Sequence, residues 1–354
     1  MRLVSADFGY AVAYRTVERG ATTQTAIRLF IYDGDRWRNA TPPTLHADGI
    51  DVIDDVAFVD RRRGWVAGYN CARVAVYLYR TSDGGLSWRS LGKPASHSCG
   101  GGPTYLSFVD DRHGWMEPVS PNGPVGALLE TSNAGRSWRQ IATGPVGQAR
   151  EHALPCLAPI RFVSLAEGWM GRCELGSVFS TADGGRRWRR ARIATPDSSD
   201  ARFDLPWFSG SDGVVAATMG TRPFTESGRT RAVVFSVTHD GGRVWAIRST
   251  RPIGSCPLSG YFTNVWPASV VDGRVWWIVA GGKRPTAQMT TDAGRTWRTS
   301  LAHGLPTRWC SVESVSAAGP KTAWVIARES KDTTELFRTD DAGRSWRRVA
   351  LLRR

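Results

Sequence analysis

The sequence has very little lysine and no long apolar run. Only four of its 46 basic residues are lysine, so 42 are arginine; the lysines are Lys93, Lys283, Lys321 and Lys331. The longest apolar stretch lies around residues 275–280. It is far shorter than the roughly 20 residues that a membrane-spanning helix needs. We therefore expect no transmembrane segment in this chain.

The usual signatures of metal, nucleotide and hydrolase sites are also missing. The sequence contains no Cys-x-x-Cys or His-x-x-x-His spacing, and its six histidines are scattered, which argues against a zinc site. Nucleophile-elbow and phosphate-loop patterns are absent as well, because Gly84 and Gly85 belong to a repeated turn rather than to a strand-to-helix phosphate loop. The sequence predicts no metal, no cofactor and no readable catalytic constellation.

What the chain does contain is a repeat. The pattern Thr-x-Asp-x-Gly-x-x-Trp occurs six times, with Asn in place of Asp in the second copy, at residues 81–88, 131–138, 181–188, 238–245, 290–297 and 339–346. A decayed copy at residues 32–35 is followed by Trp37, one further step of about fifty residues back. Seven units of about fifty residues therefore fill the chain.

Each unit reads as four short strands. Phe-Val and Gly-Trp pairs lie about two dozen residues ahead of the repeated tryptophan, as in Phe58-Val59 with Gly64-Trp65, and runs of β-type residues alternate with Asp, Arg and Gly punctuation. Four-stranded units repeated around an axis form a β-propeller. We predict an all-β, seven-bladed β-propeller in one domain, 1–354, with blades at about 1–40, 41–91, 92–141, 142–193, 194–248, 249–300 and 301–354.

The repeated turn is predicted to be a structural clasp between strands three and four. Its acidic residue can accept hydrogen bonds from backbone N–H groups, its glycine can take a positive φ, and its tryptophan can wedge against the sheet. An amide oxygen at Asn133 can close the same turn, so geometry rather than charge is required. The residues concerned are Asp83, Gly85, Trp88, Asn133, Gly135, Trp138, Asp183, Gly185, Trp188, Asp240, Gly242, Trp245, Asp292, Gly294, Trp297, Asp341, Gly343 and Trp346.

These turns resemble the Asp-box, or bacterial neuraminidase repeat. Together with the Phe-Val and Gly-Trp pairs, they are most similar to repeat proteins related to the photosystem II assembly factor of plastids and cyanobacteria. The resemblance covers essentially the whole chain and implies the propeller fold. It does not select a ligand or a reaction, because the same box occurs in sialidases, sortilin-type receptors and some xyloglucan-cleaving glycosidases.

The net charge of +14 suggests that the chain could bind nucleic acid. The placement of the arginines argues against this hypothesis. Arginine follows most of the repeated tryptophans, at the predicted outer edge of each blade, where charge discourages strand addition by neighbouring molecules. Most tryptophans occupy repeat positions that should pack between blades rather than stack on bases. We predict no nucleic-acid partner.

The cysteines are predicted to gather on one face of the disc, opposite the repeated turns. Six cysteines allow fifteen pairings, and adjacency suggests Cys71 with Cys99, Cys156 with Cys173, and Cys256 with Cys310. Disulfides would imply an oxidising compartment, yet residues 1–20 lack a secretory signal. We expect an extracytoplasmic protein, secreted or attached to the cell envelope, if a leader is missing from this chain, and a cytoplasmic one otherwise.

The cysteine face also carries the longer and more variable connections, where propeller function is expected. Polar candidates for the mouth of the central channel are Glu117, Arg172, Glu174, Arg222, Arg284 and Glu329. The favoured function is a non-catalytic, monomeric scaffold that binds a protein or a cell-envelope glycan. The alternative is a glycoside hydrolase with a dispersed site, for which Glu117 and Glu174 in adjacent blades could supply two carboxylates. The Phe-Arg-Ile-Pro tetrapeptide that marks sialidases is absent.

Overall fold

A computed structural model describes residues 1–5, 7–19, 22–96, 103–118, 125–145, 154–156, 158–171, 177–194, 196, 201–220, 229–257, 267–307, 312–328 and 333–349. These residues form seven antiparallel sheets and no helix. Consistently, the described part of the chain offers no helical segment able to cross a bilayer. The predicted all-β, seven-bladed β-propeller is confirmed.

The strands of the first four blades follow the chain in simple order. Blade 1 contains β1 (Arg2–Ser5), β2 (Phe8–Arg19), β3 (Thr22–Tyr32) and β4 (Trp37–Asn39). Blade 2 contains β5 (Val52–Phe58), β6 (Gly64–Asn70), β7 (Ala75–Thr81) and β8 (Arg89–Ser90), with β9 (Ala95–Ser96) added to β7. Blade 3 contains β10 (Tyr105–Phe108), β11 (Gly114–Glu117), β12 (Val125–Thr131) and β13 (Arg139–Pro145). Blade 4 contains β14 (Ile160–Phe162), β15 (Gly168–Met170), β16 (Val178–Thr181) and β17 (Arg189–Ala191).

The last three blades repeat this order. Blade 5 contains β18 (Ala201–Phe203), β20 (Asp212–Gly220), β21 (Arg229–Thr238) and β22 (Ala246–Pro257), with β19 (Trp207–Ser209) also paired to β20. Blade 6 contains β23 (Ala268–Val270), β24 (Trp276–Ala280), β25 (Thr286–Thr290) and β26 (Arg298–Leu301). Blade 7 contains β27 (Val312–Ala317), β28 (Ala323–Arg328), β29 (Thr334–Thr339) and β30 (Arg347–Val349).

The repeated turn is held by hydrogen bonds between its own residues. In blade 2 the Thr81 hydroxyl donates to Asp83 at 2.8 Å and accepts from the backbone N–H of Gly85 at 2.8 Å, while Asp83 accepts from the N–H of Ser87 at 2.9 Å. Gly85 has a φ of 82°, in the region where glycine has no steric penalty. The same bonds recur in the other five turns, including the one in which Asn133 replaces aspartate.

The Phe-Val and Gly-Trp pairs join one blade to the next. Phe108 covers Gly114 of its own blade so closely that a Cβ there would lie 2.4 Å from the ring, which is why the position needs glycine. The other side of the Phe108 ring stacks on Trp65 of blade 2, with centroids 3.7 Å apart. Phe162 and Trp115 repeat this stack at 3.7 Å one blade later. The hydrophobic core therefore lies between blades, with these aromatic stacks as part of it.

The first strands line the centre and are tied together by side chains. The hydroxyl of Ser107 accepts a hydrogen bond from the backbone N–H of Phe162, and that of Ser269 accepts one from Ala317. Between the last and first blades, Ser316 accepts from the backbone N–H of Leu3 at 3.0 Å. These bonds satisfy the inner sheet edges, which would otherwise be unpaired.

The topology defines two faces of the disc. The box face carries the turns between strands one and two and between strands three and four; the two kinds of turn are hydrogen-bonded to each other, for example through Gly84 N–H and Arg62 C=O at 2.7 Å. The connection face carries the turns between strands two and three and the segments that lead from one blade to the next.

Candidate functional site

Two of the six channel-mouth residues predicted from the sequence are described by the structure. Glu117 ends β11, as expected for a residue at the end of a second strand. Arg284 is exposed in the turn between β24 and β25. Arg172, Glu174, Arg222 and Glu329 lie outside the described residues. The distance between Glu117 and Glu174, which the glycosidase alternative requires, is therefore not measured.

Glu117 is buried between blades 3 and 4. It is 1% exposed, and among the described residues neither carboxyl oxygen makes a hydrogen bond of normal geometry. Burial raises the pKa of Glu117 well above its ordinary 4.5, although the backbone N–H of Ala158 partly offsets that effect. Burial of this kind disfavours the charged form of a carboxyl. Its burial removes it from the exposed surface on which a glycan would lie.

Two of the predicted disulfide cysteines are described with their bonding. Cys71 and Cys156 are each disulfide-bonded. Cys71 follows β6 and Cys156 precedes β14, so both belong to the connection face. Cys99, Cys173 and Cys310 lie outside the described residues, as does the side chain of Cys256 in β22. The three suggested pairings remain predictions.

The connection face of blade 2 contains a pair of aspartates at a bulge. The register of β5 against β6 shifts between Ile53 and Asp55, so Asp54 is the extra residue. Asp54 accepts a hydrogen bond from the backbone N–H of Thr104 at 3.1 Å, and Asp55 accepts one from Leu106 at 2.8 Å. Because a bulge breaks the alternation of side chains, two successive carboxylates can reach the first strand of blade 3.

This aspartate pair stands out in an arginine-rich protein because the pKa of one of its carboxyl groups is raised. Burial, together with the charge of Asp55, raises the pKa of Asp54 to about 7, despite hydrogen bonds from Thr104. Burial and the charge of Asp54 also raise the pKa values of Tyr14 and Tyr69. Tyr69 of β6 is paired with Val52 of β5, two residues before Asp54. Tyr14 is 47% exposed and its hydroxyl donates to the carbonyl of Ile53 at 2.8 Å.

The neighbouring turn between β6 and β7 is tightly held and presents an apolar side chain. Val74 has a φ of 51° and is 46% exposed, which is an uncommon and strained combination for a β-branched residue. Asn70 fixes the turn by accepting from the N–H of Arg73 at 2.8 Å and donating to the carbonyl of Asp48 at 2.9 Å. The backbone N–H of disulfide-bonded Cys71 donates to Asp51 at 2.6 Å. The hydrogen bonds of Asn70 and Asp51 therefore hold Val74 in its strained conformation.

We call these residues the blade 2 site; it consists of Tyr14, Asp51, Asp54, Tyr69, Val74 and Thr104. The sequence analysis did not identify it. The available signal was the acidic run of Asp48, Asp51, Asp54 and Asp55 just ahead of an apolar strand. That run is not repeated in the other blades. The arrangement of its side chains in space depends on the bulge and on the contact with blade 3, which the sequence does not reveal.

Two arginines lie on the first strands of blades 4 and 5. Arg161 of β14 donates to the carbonyl of Pro206 at 3.2 Å, and burial lowers the pKa of Arg202 in β18. Tyr10 of β2 lies in the field of Asp55 of blade 2, Arg2 of blade 1 and Arg161 of blade 4, so charges of both signs act at the centre of the ring. Across the described residues, no three His, Cys, Asp or Glu side chains come together as metal ligands would.

Comparison with known proteins identifies the fold and leaves the family open. No protein-family profile matches the chain. Vacuolar protein sorting/targeting protein 10 of Chaetomium globosum is 27% identical over 153 residues, which are 36% of this chain. The chain spans only 10% of the length of that relative.

Two solved propellers illustrate the range of ligands found on this fold. YCF48 bound to D1 peptide superimposes with a TM-score of 0.52 at 20% identity, over 84% of this chain and 80% of that one. A polysaccharide lyase, the PL25 ulvan lyase, superimposes with a TM-score of 0.51 at 10% identity, over 85% and 86%. At these identities the likeness concerns the fold alone.

Proposed function

We propose that this chain is a non-catalytic propeller that binds a segment of another protein on its connection face. The observation that carries the proposal is the turn at Val74. An exposed apolar side chain is held in a strained conformation by Asn70 and by disulfide-bonded Cys71, and such strain is typical of residues kept for recognition. A pre-organised apolar contact loses little conformational entropy when a partner docks.

The use of the repeated residues supports the same conclusion. Thr, Asp, Gly and Trp of the boxes, and Phe, Gly and Trp of the second landmark, are engaged in the turns and in the layers between blades. The residues of the blade 2 site do not belong to the repeated pattern. YCF48, which has the same fold, has been solved with a peptide bound, so a polypeptide ligand suits this architecture.

We further propose that the protein works in an oxidising compartment and that it is a monomer. Disulfide-bonded Cys71 and Cys156 support an extracytoplasmic protein. A monomer agrees with the arginine-rich outer edges, since like charges on fourth strands oppose edge-to-edge pairing. A cell-envelope glycan is the other ligand class to be tested.

One observation favours a second candidate, a glycan-cleaving enzyme. Burial raises the pKa of Asp54 to about 7, and Asp54 lies beside Asp55; glycoside hydrolysis uses a pair of carboxyl groups. Against this, Asp55 is engaged with two backbone N–H groups, of Val56 and Leu106 at 2.8 Å each. Those bonds give Asp55 a structural role between blades 2 and 3.

The test uses the purified, oxidised protein on a peptide-display library and on a glycan array that includes sialosides, plant polysaccharides and bacterial wall fragments. We expect selected peptides to bind the wild type and to bind Val74→Gly at least tenfold more weakly. The matched control is Leu86→Gly, because Leu86 is 75% exposed on the box face. Cleavage of any glycan, or equal loss of binding in both variants, would overturn the proposal.

A further inference from the structure

The outer edge of the disc carries positive charge in every blade. The first strands line the centre, so the fourth strand of each sheet lies outermost. The seven fourth strands, β4, β8, β13, β17, β22, β26 and β30, contain ten arginines and no lysine, aspartate or glutamate. We call these ten side chains the arginine rim. An edge of one charge sign attracts polyanions.

The arginine directly after the repeated tryptophan is engaged in blades 1, 3 and 7. In blade 3, Arg139 lies opposite Glu130 on the neighbouring strand and forms an ion pair with it. In blade 7, Arg347 pairs with Asp340 at 3.4 Å. In blade 1, Arg38 donates to backbone carbonyls of the repeated turn of blade 2. These guanidinium groups therefore have partners within the protein.

The arginine at the same position is left without a partner in blades 2, 4 and 6. Arg89, Arg189 and Arg298 are exposed, and within the described ranges their side chains form no ion pair, hydrogen bond or ring contact. In blade 2 the residue opposite Arg89 is Arg80, and like charges in that arrangement are destabilising. The guanidinium donors of Arg89, Arg189 and Arg298 are thus available to an external anion.

The paired arginines of the rim are accessible as well. The side chains of Arg139 and Arg347 are 70% and 63% exposed, and ion pairs at such positions contribute little to stability. Among the described residues, three carboxylates reach the rim, those of Glu130, Glu335 and Asp340. Ten arginines against three carboxylates leave an excess of positive charge that a bound anion can neutralise.

The form of the rim favours a flexible acidic polysaccharide over other polyanions. Duplex DNA has a persistence length of about 150 base pairs and resists bending around a convex edge. Single-stranded nucleic acid is held by stacking on aromatic rings, whereas the one exposed aromatic side chain in the described part of the chain is Tyr14, in the second strand of blade 1. A flat membrane would touch only a few blades at a time. Guanidinium groups bind carboxylate and sulfate groups through paired hydrogen bonds.

We propose that the arginine rim binds a linear acidic polysaccharide. Its main contacts are Arg89, Arg189 and Arg298, and Arg139 of the intervening blade 3 is a further one. Several weak ionic contacts along one chain add up to stable binding, because each contact holds the next charged group close to the protein. This partner is additional to the polypeptide proposed for the connection face. Since the two surfaces share no residue, the failure of either proposal leaves the other unaffected.

The probe is fluorescently labelled polygalacturonate, titrated with the purified protein and followed by fluorescence anisotropy. Its control is the fully methyl-esterified chain, which has the same sugars and no charge. We expect saturable binding of polygalacturonate at about 50 mM salt, clear weakening at about 200 mM as the charges are screened, and no binding of the ester.

The decisive variant removes the three unpartnered arginines of the rim. The triple substitution Arg89→Gln, Arg189→Gln and Arg298→Gln lowers the net charge of +14 by three and is expected to weaken binding about tenfold, since three ionic contacts are lost. Each single substitution should weaken binding about twofold, so the test does not depend on the folding of the triple variant. Unchanged affinity in the single variants would overturn the site.

The matched control removes the same charge from the box face. Arg112, Arg274 and Arg295 are exposed there, and their triple substitution by glutamine should change the affinity less than about twofold. Equal weakening by the two triple variants would mean attraction by net charge alone and would overturn the site. Equal binding of the methyl ester, or tighter and rim-dependent binding of single-stranded poly(dT), would also overturn it.

Discussion

The substitution Glu117→Gln tests whether the packing between blades 3 and 4 buries the Glu117 carboxyl and raises its pKa. In the folded protein burial raises the pKa of the Glu117 carboxyl well above 4.5, whereas in the unfolded chain it ionises with its ordinary pKa of 4.5. Folding above pH 4.5 therefore requires proton uptake. Each pH unit above 4.5 costs about 1.4 kcal/mol until the folded-state pKa is reached. Glutamine has no proton to take up, so it avoids this cost.

The sign follows from the raised pKa. The folded state binds more protons than the unfolded state, so the stability that Glu117 contributes is fully present below pH 4.5 and falls as the pH rises towards the folded pKa. The free energy of unfolding of Glu117→Gln minus that of the wild type should therefore increase between pH 4.5 and 7. Each pH unit in which only the folded-state carboxyl stays protonated should add about 1.4 kcal/mol to this difference.

The assay is urea denaturation at pH 5, 6 and 7, with equal m-values required for both proteins. Glu167→Gln is the control for loss of a carboxyl, since Glu167 is exposed on the box face. A stability difference that stays flat with pH would refute the reasoning. It would mean that Glu117 is ionised in the folded protein and compensated there.

Three further predictions concern the turns and the closure of the ring. Val74→Gly should raise the free energy of unfolding by up to about 1 kcal/mol in urea denaturation, because relief of the left-handed strain exceeds the added chain entropy; a loss of stability would contradict the strain. Asp83→Ala should cost about 1–2 kcal/mol by the same assay and Asp83→Asn clearly less, since Asn133 closes the equivalent turn. Hydrogen bonds outweigh burial and lower the pKa of Asp83 to about 2, so its stabilising effect should be present above pH 4 and be lost as the pH falls towards 2. Ser316→Ala should cost about 1 kcal/mol and speed amide hydrogen exchange at Leu3, because it removes the acceptor between blades 7 and 1; unchanged exchange would show that this bond does not hold the seam.

The blade 2 site lay beyond sequence reasoning for reasons that particular residues show. Asp54 and Asp55 are adjacent in sequence and would point to opposite sides of a regular strand. The bulge alters that, and Thr104 comes from fifty residues further along the chain. Glu117 was predicted at a channel mouth from its place at the end of a second strand, but its exposure depends on the segment around Ala158, which belongs to another blade. Val74 reads as the first residue of a strand, and only its backbone conformation singles it out.

The sequence alone determined the architecture of this protein, because the same turn pattern recurs in six of its seven units and in a decayed form in the first. Thr, Asp, Gly and Trp at fixed spacing specify a turn through short-range hydrogen bonds and a positive φ, and the phenylalanine, glycine and tryptophan pairs specify how one blade stacks on the next. The tertiary structure alone decided the candidate site. Tyr14, Asp54 and Thr104 belong to three consecutive blades. Their arrangement depends on the packing of those blades and on one bulge, and neither can be read from the repeated pattern.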